Sequence, residues 1–217
     1  MLAKEVKLIG YSKRVDFFNC ITHAAGAIAA VAALVLMVIR AQDARHTASA
    51  VIYGLSMIAV YTVSAVYHGL KNGEAKRIAR LIDHSTVPFL IAGTATPCAL
   101  ITLFDISRPH SILVIVLAWF CAVFGLVSKI FFFEKLKNVT PFVYIVSCLI
   151  MLGSSVPLMD RMNLRAFLGL GDGCIFYLIG AAFCAWGRKK PALHIVFHIF
   201  VLFASVIHFY VIYEFVI

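Results

Sequence analysis

The chain has 217 residues, of which 63% are hydrophobic and only 13% charged. An ordinary soluble domain is about 45–50% apolar and about 25% charged, so the composition excludes one and leaves an integral membrane protein. The net charge of +9 does not point to nucleic acid, because the basic residues fall in clusters between apolar stretches, where they mark membrane sidedness and meet anionic headgroups.

A membrane helix needs about 20 apolar residues to cross about 30 Å of hydrocarbon. Seven stretches qualify, at residues 17–39, 48–70, 83–104, 111–132, 139–158, 167–186 and 193–215. They predict an all-α protein, a single seven-helix membrane domain over residues 1–217. The first stretch follows Lys4, Lys7, Lys13 and Arg14. Its apolar run is too long for a signal-peptide core, so it is expected to be a retained helix. Gly26, Ala29, Ala30 and Ala33 in it permit close helix packing. Near its start VDFFNCITH carries Asp16, Asn19 and His23, with Asn19 and His23 on one face. Two readings fit them: hydrogen bonding between helices, worth about 0.6 kcal/mol in a bilayer, or support behind a metal ligand.

The second stretch ends in SAVYHGL, which sets Ser64 and His68 four residues apart. The third opens with LIDHSTVPFL and holds Asp83, Pro88, Gly93 and Pro97, so a kinked helix is expected. His84 projects roughly 100° from Asp83 and reads as a packing or hydrogen-bonding residue. The fifth is the weakest helix, with Gly153 and Pro157 near its end. The seventh follows Pro191, a residue suited to a helix start. Its His194 and His198 project from one face about 6 Å apart along the axis. His208 lies about 15 Å further on, outside any shared site, and His46 and His110 fall in outer loops. The six cysteines are scattered with no CxxC pair and read as small buried hydrophobes without a disulfide framework. There is no internal repeat of the kind inverted-repeat transporters show.

Fourteen Lys or Arg lie at the N-terminus and in the second, fourth and sixth connections, against five on the other side (Arg40, Arg45, Arg108, Arg161 and Arg165). The excess marks the cytoplasm, giving an inside N-terminus and an outside C-terminus. His68, Asp83, His194 and His198 then converge at the cytoplasmic helix ends. Ionisable groups at membrane depth are costly and mark functional sites. Three imidazoles with an open position match catalytic zinc. Imidazole also suits copper, iron or nickel, and haem ligation by paired histidines is a further alternative. The seventh stretch has no Lys for a retinal Schiff base, and no charged stripe suggests a pore.

NCITH, SAVYHGL, LIDHSTVPFLIAGTATP and HIVFHIFVLFASVIHFY together resemble the hemolysin III branch of the progestin and adipoQ receptor family, over nearly the whole chain. The resemblance implies seven helices with a cytoplasmic N-terminus, in the inner (plasma) membrane of a bacterial-type cell. It further implies zinc on His68, His194 and His198, Asp83 joined to the metal through a bound water, and Ser64 behind them. Receptor-type relatives and alkaline ceramidases suggest a hydrolase of lipid amides or esters. Its partners would be membrane lipids, with a fatty acyl chain in the bundle. There Asp83 would orient or deprotonate the water, and Ser64 would orient a ligand or stabilise negative charge. The alternative is a non-enzymatic membrane-homeostasis or lipid-state sensor with structural zinc; pore formation comes by the family's label alone. The chain departs from the family pattern at Asp16, where Glu is usual, and at Ala95, where GTYTP is common.

Overall fold

A backbone amide buried in hydrocarbon has no partner outside its own segment or a closed barrel, so apolar stretches of this length fold as helices. The structure, a computed structural model, describes residues 6–132, 140–155 and 164–217. Its main helices are α1 (Lys13–Arg40), α2 (Ala44–Gly69), α3 (Glu74–Pro97), α4 (Arg108–Phe131), α5 (Thr140–Ser155), α6 (Leu164–Gly187) and α7 (Leu193–Phe215). No strand occurs among the described residues. Among the described residues, six helices are long and apolar enough to cross a membrane, α3 being counted with its continuation as Glu74–Ile106. The chain is therefore a multi-pass helical membrane protein. The 16 residues of α5 span about 24 Å, short of the hydrocarbon thickness. Val139, Pro157 and the rest of 156–158 from the expected fifth stretch lie outside the described residues, as do Lys4, Lys135, Lys137 and Arg161 from the charge count.

The third helix differs most from expectation. It begins at Glu74, nine residues before the apolar run, so Asp83 sits in the third turn rather than at the helix end. Lys76, Arg77 and Arg80 are helical, and the connection to α2 shrinks to Leu70–Gly73. Hydropathy locates lipid contact, whereas this helix starts where Gly73 ends the turn. Pro88 lies inside α3, and after Pro97 the helix widens into a π-helical segment, Cys98–Leu103, before Phe104–Ile106. Pro97 has no N–H for the carbonyl four residues back and crowds it, and a π segment is one way a helix absorbs such a break.

Sequential helices pack as neighbours: α1 on α2, α2 on α3, α3 on α4, α4 on α5 and α6 on α7. Contact of α7 with α1 brings the last helix back to the first. Small residues permit this closure. A Cβ at Gly26 of α1 would meet Leu202 of α7 at 2.6 Å and Tyr61 of α2 at 2.9 Å. At the end of the bundle away from His68, His194 and His198, Arg40 pairs with Glu214 at 3.6 Å and Arg45 with Asp105 at 2.8 Å. Asp43 caps α2 by accepting from the Arg45 and His46 amides at 2.8 and 2.9 Å. It also holds His46 Nδ1 at 2.8 Å, so His46 is fixed and half-buried rather than simply solvated; His110 is exposed on Ser107. All six cysteines are free thiols.

Candidate metal centre

The last turn of α2 carries His68, and the first two turns of α7 carry His194 and His198. Packing brings the two helix ends together. One ring nitrogen from each histidine lies within 4.8 Å of the others, and all three side chains are buried. Ring centroids are 5.4 Å apart for His68 and His194, 5.0 Å for His68 and His198, and 4.8 Å for His194 and His198.

Hydrogen bonds fix which nitrogens face one another. His68 Nδ1 donates to Asp16 Oδ1 at 2.9 Å, which leaves the Nε2 lone pair free. The Thr22 hydroxyl donates to the Phe18 and Asn19 carbonyls at 2.9 and 3.0 Å, so its oxygen can only accept from His198 Nδ1, 3.4 Å away. His198 Nε2 is then also a lone pair. Both Nε2 atoms are buried without a hydrogen-bond partner. A buried unpaired polar atom costs about 1–3 kcal/mol, and two such lone pairs beside a third imidazole suit a borderline metal ion. The residues fit a three-histidine centre.

Further side chains pack around the three histidines. Asp16 Oδ2 lies 2.6 Å from Lys76 Nζ, and Asn19 Nδ2 lies 3.5 Å from His68 Nδ1. His23 stacks on His198 at 3.6 Å between centroids and meets Tyr61 edge-on at 5.1 Å; both its ring nitrogens lack a partner. Tyr11, in the segment before α1, lies 5.4 Å from the His68 ring and 5.2 Å from the His194 ring. Burial, with Tyr67 nearby, raises the Tyr11 phenol well above its usual range and keeps it neutral.

Beside the triad a cavity of about 280 Å³ opens into the bundle, lined by His23, Ser64, Asp83 and His194 and otherwise mostly by apolar side chains such as Val60, Leu90, Ile91 and Phe197. Ser64 and Asp83 are neighbours on its wall. Asp83 stands outside the three-nitrogen group but faces the same cavity. His84 lines that cavity too, so its roughly 100° offset from Asp83 does not carry it away from the site. His208 lies at the other end of the cavity, its Nε2 donating to the Leu170 carbonyl at 3.0 Å.

All eight residues singled out in the sequence thus gather in one region. Thr22, Tyr11 and Lys76 are additions. Thr22 shares the face of Asn19 three residues earlier, a signal in the sequence. Lys76 was hidden by its place in a basic cluster that reads as headgroup contact.

A helical membrane bundle that joins three buried histidines to an apolar cavity defines a multi-pass membrane protein with a candidate metal centre. Residues 11–209 match the family described as haemolysin-III related, and the chain belongs to that family, within the progestin and adipoQ receptor type. It is 33% identical to hemolysin-3 of Bacillus cereus over 214 residues, covering 97% of this chain and 95% of that one. It is also 33% identical to a hemolysin-3 homolog of Bacillus subtilis over 198 residues, covering 90% and 91%. Likeness extends to the monocyte to macrophage differentiation factor of Homo sapiens, at 26% identity over 204 residues, covering 91% and 82%.

Proposed function

We propose that the protein is a zinc-dependent hydrolase of lipid amides or esters, working at the cytoplasmic leaflet of a bacterial cell membrane. One observation carries the reading: Ser64, Asp83 and His194 open onto the same mostly apolar cavity. His68, His194 and His198 would hold the ion, which when bound polarises a carbonyl and brings the pKa of its water toward about 7. Asp83 is the carboxylate placed to take a proton from a water in the cavity. Ser64, beside it on the cavity wall, would donate to Asp83 and restrain its direction. The cavity walls receive an acyl chain and exclude bulk water, which strengthens each polar contact inside. The basic clusters support seven spans with the N-terminus inside and the C-terminus outside, α5 being the seventh.

Elemental analysis of the purified protein should find about one zinc per chain, lost in His194→Ala and in His198→Ala. Asp83→Ala should retain the metal and abolish fatty-acid release from labelled bilayer lipids. Full metal content in both histidine variants would place the ion elsewhere. A zinc-loaded wild type that releases nothing from any lipid amide or ester would make the ion structural and the protein a lipid-state sensor.

A further inference from the structure

Lys76 lies in the first turn of α3, within KNGEAKR, where membrane sidedness would put it among headgroups. It is instead only 1% exposed, whereas Lys71 in the same cluster is exposed. Its ammonium sits 2.6 Å from Asp16 Oδ2 in α1, 3.1 Å from the carbonyl of Leu70, the residue that follows α2 and caps it, and 5.5 Å from the Tyr67 ring centroid. A buried ammonium must be paired and hydrogen-bonded to be tolerated, and here the partner carboxylate spends its other oxygen on His68 Nδ1 at 2.9 Å.

We propose that Lys76 is a positioning residue for the metal centre, holding Asp16 on His68 Nδ1 and so keeping the Nε2 lone pair turned toward the ion. The inference rests on the metal reading of the three histidines but not on hydrolysis. Two groups compete for His68 Nδ1. Asp16 accepts from it and leaves Nε2 as the ligand atom. Asn19 Nδ2, 3.5 Å away, is a donor, and a hydrogen bond from it would put the ring proton on Nε2 and block ligation there. With Lys76 gone, Asp16 loses a partner, and its side chain, already 18% exposed, can turn toward water. Asn19 then takes over the ring nitrogen. Such outer partners of ligating histidines typically change metal affinity 10–100-fold. Because the same ammonium closes the turn between α2 and α3, metal retention and turn closure are linked, and each favours the other.

The test uses the intact protein in detergent, with zinc affinity read by competition against a chromogenic chelator and folding checked by far-UV circular dichroism and a melt of the metal-stripped protein. Lys76→Met and Asp16→Asn should each weaken zinc binding by about 10–100-fold, and the double variant should be no weaker than the worse single. Lys71→Met should bind as the wild type does. Adding Asn19→Leu to Lys76→Met should recover zinc affinity, which a merely structural role for the lysine would not produce. Wild-type affinity in Lys76→Met, single losses that multiply in the double variant, an equal loss in Lys71→Met, or no recovery with Asn19→Leu would overturn the role of Lys76 and leave the metal site standing. A wild type that takes up no zinc would overturn both.

Discussion

Ser64 and Asp83 are the two polar side chains on which the proposed hydrolysis turns. A carboxylate has about four lone-pair sites, and a bond from the neighbouring Ser64 hydroxyl to one of them would limit how the group can rotate. That would leave the other oxygen to the cavity, which Asp83 lines. Ser64→Ala should therefore keep full zinc content while lowering fatty-acid release by about tenfold or more, the scale on which groups orienting a reactive centre act. Unchanged release in a zinc-loaded Ser64→Ala protein would show that Asp83 needs no such restraint. At this scale the histidines were legible because four-residue spacing and helix ends are written in the sequence. The Asp16–Lys76 contact was not, since it joins residues 60 positions apart and depends on how α1 and α3 meet.

The helices are the scale at which the sequence is most informative and misleads in one consistent way. Apolar runs find α7 to the residue, yet they place the start of α3 nine residues late, because charged first turns read as a loop. The helix ends carry their own chemistry. At the start of α2, the His46 amide and ring and the Arg45 amide stabilise the Asp43 carboxylate and bring its pKa from 3.8 down to about 2. A folded-state pKa below the unfolded one means that this cap stabilises fully above the unfolded value, and the contribution is lost as pH falls from about 4 toward 2. Asp43→Asn should flatten the dependence of melting temperature on pH within that window. An unchanged profile would mean that the cap does not persist in solution. Packing between helices is equally local. Gly26 has no room for a side chain between Tyr61 and Leu202, and Gly26→Leu should cost about 1–3 kcal/mol by overpacking, read as a lowered melting temperature in detergent.

For the whole molecule, an ion on the three histidines would tie α7 to α2 beside the contact that returns the last helix to the first. α7 packs on its neighbour α6 and on α1, while its His194 and His198 face His68 at the end of α2. Lipid supplies no hydrophobic drive between helices, so their association rests on packing and polar contacts. An ion shared by α2 and α7 would be a link of that kind between segments 126 residues apart, counted from His68 to His194. A ligand that binds only the folded state stabilises it by about 2.7 kcal/mol at a hundred times its dissociation constant. Zinc added to metal-stripped protein should therefore raise the melting temperature, and His198→Ala should remove the effect. His208→Ala is the informative control. His208 lies about 15 Å along α7 from His198 and bonds the Leu170 carbonyl, so its loss should lower the baseline melting temperature while the increment due to zinc survives. If His208→Ala abolished the increment and His198→Ala kept it, the ion would sit at the opposite end of the cavity, and the bundle would be closed there rather than at the junction of α1, α2 and α7.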